Sequence, residues 1–317
     1  SEAVYCNGNG ACFNWATSDA MCPSYKATRN RVHSPKGRSS IVREWLKQLK
    51  EHDFDASQIS KDYGQFNESS NWLKRTKTQK RKAQEYDFSH EVMDSMSQCL
   101  ACKSCVGQCP IKVDVPEFRS KFLALYHTRY SRPLKDYLVA NLEKMAPKIA
   151  KIAGLANFVQ STAPVKKFLA EKVGFVDSPK FSRINFDKEL KKLGVQYSTS
   201  EALSALSDDD KARAVIVVQD TFTRFFDTQM VLDVLAMLKQ LGFFPFVNAF
   251  TPNGKPLHVH GFLGEFKALA KTTSARLNRL SESGIPLVGI DPAMTLAYRA
   301  EYVLSLIHIS EPTRRHL

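Results

Sequence analysis

The stretch CLACKSCVGQCP, Cys99 to Pro110, gathers four of the chain's seven cysteines into one short run. Its spacing is C-x2-C-x2-C-x3-C-P, through Cys99, Cys102, Cys105 and Cys109. Three thiolates two residues apart can curl around one face of a cubane iron–sulfur cluster. The fourth, at a turn fixed by Pro110, points away to a second cluster. Gly107 is expected to relieve crowding in that turn. Zinc sites more often use two separated C-x2-C knuckles, so the run favours iron–sulfur over zinc. Seven cysteines cannot all pair in disulfides, and no secretory leader pattern opens the sequence; both features favour metal over disulfides.

In two-cluster proteins the first three cysteines of such a run take their fourth ligand from another Cys-Pro. Cys22-Pro23 supplies one, and the first cluster is then Cys99, Cys102, Cys105 and Cys22. The reciprocal motif is degenerate: Cys6, Cys12 and Cys22 are widely spaced, and Asn9 stands where a middle cysteine would be. The second cluster is then Cys109, Cys6 and Cys12, one thiolate short. Such a site could hold a [3Fe–4S] cluster, or a [4Fe–4S] cluster with water, Asn9 or another side chain as last ligand, or it could be vestigial.

The rest of the composition is that of an ordinary globular chain. Of its 317 residues 43% are hydrophobic and 24% charged, values that suit about two domains with cores of their own. No apolar run approaches the roughly 18 residues of a membrane-spanning helix. The net charge of +13 is partly concentrated, in LKRTKTQKRK (Leu73 to Lys82) and in YKATRNRVHSPKGR (Tyr25 to Arg38). Such runs read as solvated surface, or as docking faces for an acidic partner or a lipid surface. Nucleic acid is disfavoured because no aromatic-interleaved motif accompanies the charge.

All seven cysteines precede residue 110, and that half reads as helical. SIVREWLKQLKEH and VPEFRSKFLALYHTRYS carry amphipathic periods, the second with Asp114 as N-cap and Glu117 three residues on. Residues 134–172 read as helices broken at Pro147, Gly154 and Pro164. The texture then changes. AVIVVQD (Ala214–Asp220), FFPFVN and IPLVGID read as buried strands, separated by TQMVLDVLAMLKQLG and a helix over about 262–282. Strand–helix alternation implies a parallel sheet. YVLSL near 302–306 reads as a further strand. The expected architecture is multidomain: an α-helical ferredoxin-like domain over 1–180, an incomplete α/β domain over 181–306 with the break near 176–200, and a non-native tail over 307–317. The opening at Ser1, without methionine, suggests an interior piece of a longer protein.

Together, CNGNGAC…MCPSYKATRNRVHSPKGRSSIVREWL and CLACKSCVGQCPIKVDVPEFRSKFLALYHTRYSRPLKDY resemble the iron–sulfur part of bacterial FAD-linked oxidases of the D-2-hydroxyglutarate dehydrogenase type. The wider group includes the iron–sulfur subunits of glycolate oxidase and anaerobic glycerol-3-phosphate dehydrogenase. The resemblance implies a preceding flavin domain of the same protein that binds FAD and oxidises a D-2-hydroxy acid. It also implies [4Fe–4S] clusters that carry electrons onward to an acceptor such as quinone, and a cytoplasmic location with peripheral membrane contact. No catalytic or FAD-binding residue is assigned in this chain. Family members carry a C-C-G-x-P type motif in the following domain. TPNGKPLHVHG stands there instead, with Asn253 and Lys255 and no cysteine. A strand there would turn His258 and His260 to one face, as metal ligands or as plain core and surface histidines. The competing reading of the whole chain is a non-redox module in which metal pins a helical scaffold and the basic runs dock an acidic partner.

Overall fold

The computed structural model describes residues 6, 8–52, 73, 76–78 and 86–306. Five of the six basic residues of the Leu73–Lys82 run (all but Lys77), and the 307–317 tail, lie outside them. The chain forms two compact units, residues 1–132 with 258–265, and residues 133–257 with 266–317. The division falls between Arg132 and Pro133, earlier than the change of composition near 176–200. The helices after Pro133 belong with the sheet because their buried polar groups bond to its loops, as described below. None of the described helices is long and apolar enough to cross a membrane.

The first unit is helical throughout its described residues. Its elements are α1 (Pro23–Thr28), α2 (Pro35–Glu51), α3 (Ser89–Ser97), α4 (Ser104–Gln108) and α5 (Val115–Arg129). Asp114 caps α5 as expected, its Oδ1 accepting from Glu117 N at 3.0 Å. The apolar faces of α2, α3 and α5 bury Val42, Trp45, Val92, Met96, Phe122 and Tyr126 against one another, with Trp45 and Phe122 edge to face at 5.0 Å. Burial of this kind contributes roughly 1.5–3 kcal/mol per large side chain. The start of α2 explains the HSPKGR run. Ser34 Oγ accepts from Gly37 N at 3.0 Å. A Cβ at Gly37 would meet Arg31 O at 2.0 Å, so only glycine lets the chain pass itself there.

The second unit begins with α6 (Leu134–Ala140), α7 (Leu142–Ile149), α8 (Ala153–Ser161) and α9 (Ala163–Phe168). Pro147 lies inside α7 and does not break it; Gly154 and Pro164 each sit at the second residue of a new helix, α8 and α9, where breaks are expected. After α10 (Phe186–Leu193) come β1 (Gln196–Tyr197), α11 (Ser200–Ser204), α12 (Asp208–Arg213), β2 (Ala214–Val218), α13 (Thr221–Phe225), α14 (Thr228–Gln240), β3 (Phe244–Val247), α15 (Lys255–Val259), α16 (Leu263–Ser281), β4 (Leu287–Gly289), α17 (Pro292–Arg299) and α18 (Glu301–Leu306). The four strands are all parallel in the order β1-β3-β2-β4. Central β2 is buried at every position, which is why it reads as an unbroken β-branched run. The 302–306 stretch is helical, not a strand: a helix lets Tyr302 turn inward and donate its hydroxyl to Asn253 O at 2.7 Å.

A buried carboxylate ties the early helices of this unit to the loop after β3. Glu143, on α7, accepts from Asn253 N at 3.1 Å, Gly254 N at 2.5 Å and Thr221 Oγ1 at 3.1 Å. Burial pushes its carboxyl up, opposed by those three donors. Asn253 is fully buried, and its Nδ2 donates to Met294 O at 3.0 Å. The loop where the resemblance leads one to expect cysteines is thus closed by hydrogen bonds to a carboxylate. Glu143→Ala would strand two backbone N–H groups and a hydroxyl in the interior, and should destabilise this unit by about 3 kcal/mol. Urea denaturation followed at the sheet's circular dichroism checks this.

Candidate metal centre

The seven cysteines stand in two separate pockets of the first unit. Cys22, Cys99, Cys102 and Cys105 line one, together with Arg38 and Val115. Cys6, Cys12 and Cys109 line the other, together with Asn9, Lys36 and Pro110. Electrostatic neighbours divide the same way: Cys99 feels Cys22, Cys105 feels Cys99 and Cys102, and Cys12 feels Cys6 and Cys109. Cys22, remote in sequence, joins the first three cysteines of the long run, while Cys109 faces the N-terminal pair. The pockets hold only about 20 and 90 Å³ of open space, too little for an organic cofactor. Their chemistry is that of the sulfur rings.

Local backbone strain builds these rings. The described non-glycine residues with positive φ are Cys22, Arg29, Ala101, Lys103 and Lys112, all within or beside the cysteine runs. Each costs on the order of 1–2 kcal/mol; Cys22, Ala101 and Lys103 turn the chain within the cysteine runs themselves, while Arg29 ends α1. Gly107 is not part of this device. It lies inside α4, and a Cβ there would meet nothing within 4 Å, so the crowding expected of it is absent. Lys103 Nζ holds Asp114 Oδ2 at 3.0 Å, which fastens the Cys102–Cys105 turn to the start of α5.

Two buried arginines fix where α3 delivers Cys99. Arg38 is 1% exposed; its Nε donates to Ser95 O at 2.9 Å, and its Nη2 to Ser24 Oγ at 3.0 Å. Arg119 Nε donates to Met96 O at 3.0 Å. Cations on the last carbonyls of α3 suit the negative end of the helix dipole. Arg38 also donates from Nη1 to Cys22 Sγ at 3.5 Å. Arg38 therefore does not add to the surface charge of the Tyr25–Arg38 run, and others of that run are engaged too: Arg31 lies over Phe13 at 4.8 Å, Arg29 over Trp15 at 5.1 Å, and Lys26 Nζ donates to Ala16 O at 2.7 Å.

Burial raises the thiols. It pushes Cys105 up to about 12, opposed by the Val115 N–H and reinforced by Cys99, Asp114 and Cys102. It also raises Cys99, opposed by the Ala101 N–H, Arg38 and Arg119, and Cys12, opposed by the Lys36 N–H. Such thiols release their protons only to a strongly bound cation. Among the described residues no three His, Cys, Asp or Glu side chains stand close enough to hold a single metal ion. The donor set is all sulfur, which suits soft iron–sulfur or zinc chemistry and not magnesium or calcium. Asn9 lines the three-thiol pocket, where its Oδ1 accepts from Ala11 N at 3.2 Å.

His258 and His260 do not share a strand face. His258 is on α15, and His260 follows that helix in a turn. His258 Nε2 lies 3.1 Å from Glu117 Oε2 and its Nδ1 3.4 Å from Ser120 Oγ, so it is a packed, hydrogen-bonded histidine. Burial raises the Glu117 carboxyl, but the His258 hydrogen bond and charge, with Lys121, outweigh it and hold the group down at about 2. A depressed carboxyl stabilises the fold above its unfolded pKa and stops doing so as the pH falls toward the folded one. The first unit should therefore lose stability between about pH 4.5 and pH 2. Acid unfolding of Glu117→Gln, which lacks this component, checks it.

The sequence pointed to all seven sulfurs. It carried no signal for Arg38 or Arg119 as partners of the site, since both look like surface charge until burial is known.

No family model matches the chain, and no solved structure matches it. Curated relatives do. The chain is 49% identical over 307 residues to the D-2-hydroxyglutarate dehydrogenase of Pseudomonas putida, 47% over 305 to that of Pantoea ananatis and 46% over 306 to that of Escherichia coli. These matches cover 95–96% of this chain and about 30% of each relative. The chain is thus similar, over nearly its whole length, to less than a third of three bacterial D-2-hydroxyglutarate dehydrogenases.

Proposed function

We propose that this chain is the electron-transfer part of an FAD-linked dehydrogenase of D-2-hydroxy acids, D-2-hydroxyglutarate above all. Cys22, Cys99, Cys102 and Cys105 hold one [4Fe–4S] cluster. Cys6, Cys12 and Cys109 hold a second centre, [4Fe–4S] or [3Fe–4S], that is one thiolate short. The observation carrying this reading is the sorting of seven cysteines into two all-sulfur pockets in the crossed pattern that a C-x2-C-x2-C-x3-C-P run requires. A C-x2-C-x2-C-x3-C-P run completed by a distant Cys-Pro is the ligand pattern of iron–sulfur clusters, whereas zinc more often takes two separated C-x2-C knuckles. The similarity to D-2-hydroxyglutarate dehydrogenases supports the substrate class.

A cluster bound there would supply one-electron transfer between the flavin and an acceptor such as quinone. The chain's own residues hold the sulfurs, bury Cys22 and Cys105, and set the charge around them. The Ala101, Val115 and Lys36 N–H groups act against burial on the Cys99, Cys105 and Cys12 thiols, and Arg38 donates to Cys22. Donors to ligand sulfur stabilise the more negative, reduced state and raise the potential. Arg38→Met should therefore lower the midpoint potential of the four-thiolate centre, and Arg38→Lys should lower it less. An EPR-monitored redox titration measures both. The alternative of a docking module is less well supported, because Arg29, Arg31, Lys26 and Arg38 are engaged within the first unit.

The reading is tested by joining this chain to the flavin-bearing part of the protein and adding D-2-hydroxyglutarate without air. The visible iron–sulfur absorption should bleach in the wild type. In Cys102→Ser the flavin should still be reduced, and the bleaching should lose the share of the four-thiolate centre. An intact visible band after complete flavin reduction in the wild type would refute the proposal.

A further inference from the structure

A second site lies in the sheet unit, away from every cysteine. A cavity of about 800 Å³ opens beyond the C-terminal ends of β1 and β3, reached there by Ser198 and Asn248. In open parallel sheets this edge is where ligands bind, and the volume is that of a small-molecule site.

Polar and cationic groups converge on this cavity. Asn248 is 3% exposed, and its side-chain carboxamide makes no hydrogen bond among the described residues; only its backbone N–H and C=O are used, with Val217 O and Gln219 Nε2. Ser198 Oγ is a buried hydroxyl likewise without a partner. The unpaired Asn248 amide, on a residue this buried and in the lining of the cavity, is a group that a ligand can pair with. Lys211, Arg276 and Arg279 line the same space and form no ion pair among the described residues. Arg276 is oriented by Thr251, its Nη1 donating to Oγ1 at 2.7 Å. Glu282 is the one carboxylate in the lining, so cations dominate. Arg276 and Arg279 are three apart on α16 and share a face, in a spacing suited to gripping one anionic group with two guanidinium forks.

We infer that this cavity binds a small anionic molecule carrying a phosphate or a carboxylate. The anion sits on Arg276, Arg279 and Lys211, and a polar edge of the ligand pairs with the Asn248 amide. The inference does not depend on the cysteine pockets being loaded.

Isothermal titration of the purified chain with AMP, inorganic phosphate and D-2-hydroxyglutarate tests it. At least one probe should bind at millimolar concentration. AMP or phosphate binding marks a phosphate site; binding of D-2-hydroxyglutarate alone marks a carboxylate site. Arg276→Ala and Asn248→Leu should each weaken binding by about tenfold or more. Asn248→Leu separates a ligand role from a structural one: its amide has no protein partner, so the melting point should hold or rise, whereas a structural amide would lower it. Absence of binding by all three probes, binding unchanged in both variants, or a lowered melting point in Asn248→Leu would overturn the inference.

Discussion

Cys102→Ser is expected to abolish the four-thiolate centre and lower the melting point of the first unit. Cys102 is the exposed member of its group, so the change removes little packing. Its effect on folding therefore reports the bound centre and not a cavity. The loops that carry these cysteines hold Cys22, Ala101 and Lys103 at positive φ, strain that metal binding offsets. A contribution of only about 2 kcal/mol moves the melting midpoint of a unit of this size by roughly 5–10 °C. The visible spectrum and a calorimetric scan of protein purified without air measure both effects. Full iron content with an unchanged midpoint would show that Cys102 is not a ligand.

Cys22→Ala is expected to damage the centre held by Cys99, Cys102 and Cys105 while sparing that of Cys6, Cys12 and Cys109. This is the sharper test of the crossed arrangement, because Cys22 is the nearer in sequence to Cys12. The structure puts Cys22 across the pocket from Cys99 and under Arg38. EPR of the reduced variant should lose the four-thiolate signal and keep the other. Loss confined to the three-thiolate centre would reverse the assignment.

The grouping of the cysteines was legible because their spacing is local, and Cys22-Pro23 repeats the Cys109-Pro110 pattern. The strands at 214–218 and 244–247 were legible because a buried parallel strand must be apolar on both faces, and the edge strand at 287–289 because it continues the strand–helix alternation. Legibility failed where tertiary partners decide. YVLSL carries strand-like residues, but Tyr302 needs a helix to reach Asn253 O. His258 looks like a candidate ligand until Glu117 and Ser120 are found on its two ring nitrogens. Pro147 could stay inside α7. The change of composition near 176–200 misled about the division of the chain, because Glu143 has no sequence signal for its bonds to Asn253, Gly254 and Thr221.

The central claim is that both sulfur pockets hold iron–sulfur clusters. Analysis of iron, acid-labile sulfide and zinc, on protein purified and reconstituted without air, tests it most directly. The account predicts a brown protein with iron and sulfide in near-equal amounts at two centres' worth per chain, and no stoichiometric zinc. A colourless protein carrying zinc and no sulfide would contradict it.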